Sequence, residues 1–186
     1  MTVARKRLLT ACCVLLLTAV GMADTPVKKE QKQYPQVLRD ALGVLPNEFK
    51  TTQIQFVMVN DVDAQFPQAS YSDRATMRES AMFTYSLGPA GIIYINAQSA
   101  FFRAAEEADR RYGRRSPFKY AIAALIGHEI CHLRQAAVEH TPSTADTCYW
   151  TELNVFLDFV HRGYMRNAAA WAEVHLARLN AAIAEK

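Results

Sequence analysis

The chain has 186 residues, 51% of them apolar, with 21 Lys and Arg against 18 Asp and Glu. That length suits one domain with a proper core, and no internal repeat points to a solenoid. The positive balance sits at the N-terminus: without Arg5, Lys6 and Arg7 there are 18 basic and 18 acidic residues, so charge gives no ground for a nucleic-acid partner.

Residues 1–23 read as a secretory signal peptide. A basic cluster precedes an uncharged apolar stretch from Leu8 to Val20, and Gly21-Met22-Ala23 predicts cleavage after Ala23. The stretch is too short and wrongly flanked for a spanning helix. Leu9-Thr10-Ala11-Cys12 has the look of a lipobox, but the apolar run continues past Cys12, which argues against lipidation. The expected address is therefore secreted or periplasmic, with no stable membrane anchor after cleavage. Of four cysteines, Cys12 and Cys13 leave with the leader; Cys131 and Cys148 remain where disulfides persist.

Residues 24–50 are expected to form a flexible lead-in and a short helix. Asp24 to Gln33 is polar and lysine-rich. Tyr34-Pro35 then opens an amphipathic segment with Val37, Leu38, Ala41 and Leu42 at helical spacing, which Gly43 to Asn47 ends. Residues 51–186 are expected to form the main domain. Thr51 to Val59 predicts a strand, and Asn60 to Ser80 reads as a polar excursion over the surface. Ala81 to Leu87 and Gly91 to Asn96 predict two strands of a hairpin around Gly88-Pro89-Ala90-Gly91. Gln98 to Tyr112 predicts a helix with Phe101, Phe102, Ala105 and Ala108 inward and Gly113 as its stop.

Ser116-Pro117, an N-cap serine with proline at the first helical position, starts a helix to about Ala137. Tyr120 to Ile126 is almost wholly apolar, as expected of a helix buried against a sheet. In its middle lies His128-Glu129-Ile130-Cys131-His132. At roughly 100° per residue, the two histidines fall about 40° apart on one face, one turn above the other. Two imidazoles at that spacing suit two legs of a zinc site, and Glu129, beside them, suits a general base that takes a proton from water. Gly127 lacks a Cβ, which would admit a close backbone or serve packing alone. Two further helices are expected, one from Ser143 to about His161 stopped by Arg162-Gly163, the other from Asn167 to Ala184 with Trp171, Val174, Ala177 and Leu179 or Ala181 inward. His175 reads as a packed or solvated histidine.

A catalytic zinc needs a third protein ligand. Glu152, twenty residues after His132 among Trp150, Leu153, Val155 and Phe156, is the first candidate, because a carboxylate on so apolar a helix wants a buried partner. Asp146, Glu139 and His140 are the alternatives. Cys148 lies one turn before Glu152, so a Cys131–Cys148 bond would tie the two ligand-bearing helices together. Free thiols and metal ligation are the other readings of that pair.

This arrangement, H-E-x-x-H on a helix and a Glu some twenty residues later on the next helix, resembles the gluzincin branch of the zincin metallopeptidases. The resemblance covers Thr51 to His161. It implies an α+β fold: a small zincin-like domain with an antiparallel or mixed three-stranded sheet packed on the motif helix, and two C-terminal helices. It implies His128, His132 and Glu152 as Zn2+ ligands, Glu129 as catalytic base, a peptide or protein substrate, and Gly91 to Asn96 as the sheet edge beside that substrate. The family's acidic residue after the ligand Glu has no match, since Asp158 points about 240° away from Glu152 on the helix. Its oxyanion-stabilising His or Tyr is not assigned either, among Tyr149, His161 and Tyr164. The expected activity is zinc-dependent peptide hydrolysis, and the rival is a catalytically silent zinc-binding module on the same scaffold.

Overall fold

The computed structural model describes residues 34–50, 54–85, 91–112, 116–139 and 145–184. The leader, the lysine-rich segment, the hairpin tip and the start of the helix after His140 lie outside them. In chain order the elements are α1 (Gln36–Val44), α2 (Asn47–Lys50), β1 (Gln55–Val59), α3 (Val62–Gln65), α4 (Tyr71–Glu79), β2 (Met82–Phe83) and β3 (Ile92–Asn96). Then follow α5 (Ala100–Tyr112), α6 (Phe118–Glu139), α7 (Ala145–His161), a 3-10 turn (Arg166–Ala168) and α8 (Ala169–Ala184). The architecture is α+β, with a small mixed three-stranded sheet and helices around it.

The sheet order is β1-β3-β2. β1 pairs parallel with β3, Gln55 opposite Ile92 and Val59 opposite Asn96, while Met82 and Phe83 of β2 pair antiparallel with Ile95 and Tyr94. The hairpin therefore forms, but its second strand lies in the middle. The expected edge strand, Gly91 to Asn96, is the central one, and β2 is the edge on the hairpin side. The reason is the parallel partner: β1 reaches β3 through the crossover that includes α3, α4 and β2. A period-two pattern does not reveal which strand gains a neighbour on each side. Gly91, at φ 78°, makes the turn into β3 in a region that L side chains avoid.

Alternation along β3 divides the core. Ile93 and Ile95 join the main core under α1, α5, α6, α7 and α8, whereas Tyr94 joins Val59, Val62, Phe66, Met77 and Phe83 in a second cluster beneath α3 and α4. Phe66 is the hub there, its ring edge-on to Phe83, Tyr85 and Tyr94 at 5.6, 5.3 and 4.9 Å. Residues 60–80 are thus no loose excursion but two short capped helices. Asp61 accepts from the amides of Asp63 and Ala64, and Ser70 Oγ from that of Asp73. Asp63, held by Arg74 at 2.9 Å and Arg78 at 2.8 Å, joins the two helices. Their few apolar residues hid them from a periodicity reading.

α6 is the spine. Ala121, Ile122, Ala123, Ala124, Ile126 and Ile130 are all fully buried, with α1, α5, α7 and β2 packed around them. α1 belongs to this same core through Val37, Leu38 and Ala41. The expected serine cap of α6 does not form: Ser116 is buried and its Oγ has no hydrogen-bond partner. A serine cap does operate on α5, where Ser99 Oγ accepts from the Phe102 amide at 3.1 Å. Gly127 admits no backbone. The nearest atoms to a Cβ there are in the Phe49 and Val155 side chains, at 3.5 Å. Gly163, at φ 76°, ends α7 as expected, with the Tyr164 amide donating to Phe159 O. On α8 the inward face is Ala172, His175 and Leu179. Val174 is 62% exposed, and Ala177 and Ala181 also face outward. So alanine-rich a helix has little apolar contrast, and its rotation is set by the aromatic surface that receives His175.

Candidate metal and catalytic site

A cleft of about 550 Å³ opens beside the motif helix. One wall is the run Glu79 to Thr84, from the end of α4 through edge strand β2; the floor carries His128, Glu129 and His132 of α6 with Tyr149 and Glu152 of α7; α8 closes the other side. The wall at β2 is anchored by Asn96 at the end of β3. Its side-chain amide donates to Met77 O at 3.1 Å and Arg78 O at 3.0 Å, and its backbone amide to Ala81 O at 3.0 Å.

The four residues singled out by spacing lie together. His128 Nε2 and His132 Nε2 are 3.0 Å apart, one turn above the other on α6. Glu152 reaches them from α7, its Oε2 3.0 Å from His128 Nδ1. That contact is short enough for an ion pair but is not aligned as a hydrogen bond, which leaves the buried Nδ1 without a hydrogen-bonding partner. His128, Glu129 and Glu152 are each at most 6% exposed, and such burial of polar groups is costly without a partner. The Cys131–Cys148 disulfide is present, with Cα atoms 5.4 Å apart, and it clamps α6 to α7 one turn from Glu152. Of the alternative third ligands, Glu139, His140 and Asp146 have no described side chain.

Electrostatics divide the roles. Burial pushes Glu129 up to about 7; the Glu152 carboxylate adds to the rise, while His128 and a hydrogen bond from the Thr84 amide oppose it. Burial, reinforced by His128, pushes His132 down to about 4. At neutral pH His132 is then an uncharged imidazole with a lone pair to offer, and Glu129 is poised between its two protonation states. Displaced proton affinities in a cleft make these residues candidates for a functional site.

The donor set of two imidazoles and a carboxylate matches in kind what zinc takes at catalytic sites. The orphaned His128 Nδ1 and the facing Nε2 atoms fit that chemistry. Among the described residues, though, no three His, Cys, Asp or Glu side chains converge on one point. His128 stands between His132 and Glu152, touching one with each nitrogen.

Of Tyr149, His161 and Tyr164, Tyr149 is the one that lines the cleft. Its ring stands edge-on to His128 at 4.7 Å and lines the cleft, and burial with the Glu152 and Glu129 charges holds its hydroxyl protonated by raising its pKa. Tyr164 is 52% exposed and stacked on Tyr120, and His161 is on the surface. Polar cleft residues that were not singled out for the site by sequence include Glu79, Ser80, Thr84, His175 and Arg178. His175 packs as expected of it, stacked on Trp171 at 5.2 Å and edge-on to Phe156 at 4.6 Å. Its place at the cleft follows from how α8 docks, which no local pattern encodes.

Compared with known protein families, characterised proteins and solved structures, the chain matches none. The reading of the site therefore stands on its residues. No described helix is long and apolar enough to cross a membrane.

Proposed function

We propose that the protein is a zinc-dependent hydrolase of peptide bonds, a metallopeptidase with His128, His132 and Glu152 as the metal-holding residues and Glu129 as general base. The observation that carries this reading is the meeting, in one cleft, of two imidazoles 3.0 Å apart, a buried carboxylate from the next helix and a second carboxylate whose proton affinity sits near neutrality. When bound, zinc would supply Lewis acidity toward the scissile carbonyl and acidify water. Glu129, at about 7, is matched to accept a proton from that water and to return it to the leaving amine. The Thr84 amide fixes its carboxylate from the cleft wall. Tyr149, kept protonated and lining the same cleft, would donate a hydrogen bond to charge developing on the carbonyl oxygen.

The test is metal content together with cleavage of a peptide library. The purified protein is expected to hold one zinc, to lose cleavage with a chelator and to regain it with added zinc. Glu152→Ala should release the metal, and Glu129→Gln should retain it with cleavage reduced at least about a hundredfold. Zinc held without cleavage of any peptide would identify the silent binding scaffold, and absence of zinc would remove both readings.

A further inference from the structure

The charges lining the cleft are unequal. Glu79, Glu129 and Glu152 are its acids, and Arg178 is the single Lys or Arg among the described lining residues. Arg178 lies on α8, on the face that supplies the wall opposite β2. His175, Arg178, Leu179 and Ala182 follow one another at helical spacing of three, four and seven, and all line the cleft. None of the ion pairs or hydrogen bonds among the described residues involves its guanidinium, although Arg74, Arg110 and Arg162 each find an acid. One turn earlier on the same wall, His175 is only 8% exposed, and its Nε2 has no hydrogen-bond partner. A buried ring nitrogen left unsatisfied lacks a polar partner, here on a residue that lines the cleft although the nitrogen itself is shielded from solvent.

Resting on the metallopeptidase reading, we infer that Arg178, with His175 beside it, forms a carboxylate-binding subsite on α8 that anchors the free C-terminal carboxylate of a short peptide substrate. A planar guanidinium suits a carboxylate's two oxygens, and a neutral imidazole adds one directed donor. Burial lowers the proton affinity of His175, so that donor is its uncharged form. The cleft's three acids, of which Glu152 also acts on His175, leave Arg178 as the one lining cation among the described residues to draw an anion, which gives the substrate one orientation. An acidic side chain carries the same carboxylate, so the two sources are separated in the test.

The experiment uses one pooled hexapeptide library made twice, with free and with amidated C-termini, the amidated pool containing members with Glu or Asp at the last position. Cleavage by the zinc-loaded wild type is read by mass spectrometry. Retention on the Glu129→Gln protein is read in parallel, because binding does not require turnover. Free acids are expected to be cleaved and retained about 10- to 100-fold better than their amides, the range for a hydrogen bond to a charged partner. Arg178→Ala should bring that ratio close to one through KM, Arg178→Lys should restore part of it, and His175→Phe, which keeps the ring packing, should lower it less. Equal handling of acids and amides by the wild type overturns the subsite, as does a preference that survives Arg178→Ala. A preference for amidated peptides ending in Glu or Asp moves the anchored group to a side chain and overturns the C-terminal assignment. Retention of free acids without cleavage of any peptide leaves the subsite standing and overturns the peptidase reading.

Discussion

Glu129→Gln separates the proposed chemical role of that carboxylate from what it does to stability. The group is buried and its proton affinity rises from 4.5 to about 7 on folding. A folded-state pKa above the unfolded one means that the native state holds the proton more tightly. The contribution to stability is then complete below about pH 4.5 and lost as pH rises through about 7. At about 1.4 kcal/mol per pH unit, keeping Glu129 ionised at pH 8 costs the metal-free fold about 3 kcal/mol. Glutamine is nearly isosteric, accepts the same Thr84 amide and never ionises. Metal-free Glu129→Gln is therefore expected to match the wild type near pH 4.5 and to exceed it by about 3 kcal/mol at pH 8. Urea unfolding of both proteins across this range, in chelator, measures the difference directly. The comparison needs both proteins, because His132 acts in the opposite sense. Its pKa falls on folding from 6.5 to about 4, so its contribution is present above about 6.5 and disappears as pH falls through about 4. In the wild type the Glu129 slope opposes that of His132, and of His175, whose proton affinity burial also lowers, between about pH 4.5 and 6.5, whereas in Glu129→Gln the rise from the two histidines is unopposed. Parallel stability curves for the two proteins would refute a buried, ionisable Glu129. Lower stability of the variant at pH 8 would refute the sign as well.

Three further changes probe the frame that holds the site. Gly127→Ala adds a methyl that meets Phe49 and Val155 at ordinary contact distance, 3.5 Å, and removes a helix-interior glycine. It should stabilise by about 1 kcal/mol, seen as a rise of about 2–4 °C in Tm by calorimetry. Replacing both Cys131 and Cys148 by Ala opens a loop with a sequence separation of 17 and should lower stability by about 3 kcal/mol in the chain-entropy model, measured by urea unfolding. On the proposed metal reading, zinc affinity should weaken in the same variant, since α6 carries His128 and His132 and α7 carries Glu152. Asn96→Ala leaves Met77 O and Arg78 O without their donor and should cost about 2 kcal/mol. Because Asn96 anchors the wall from Glu79 to Thr84, its loss should also raise KM more than it lowers kcat, a split that steady-state kinetics resolves.

What the sequence by itself determined is local. The i, i+4 spacing put His128 and His132 on one face, because a helix closes a turn in that distance whatever surrounds it. The apolar run before them predicted burial, and Gly163 marked the end of α7. Even the pairing of Cys131 with Cys148 and the approach of Glu152 were legible, since a short connection between two helices leaves few ways to pack them. Tertiary structure decided the rest. β3 became central because a distant segment, β1, paired with its free side. Residues 60–80 became helices because Asp61 and Ser70 cap them and Phe66 and Met77 find a shared cluster, not because they alternate. α8 turned His175 and Arg178 to the cleft, and Val174 to solvent, because its own sequence distinguishes its faces too weakly to choose. The proton affinity of Glu129 belongs to the same class: the glutamate is written in the chain, but its displacement to about 7 comes from burial, Glu152, His128 and the Thr84 amide, which only the fold brings together.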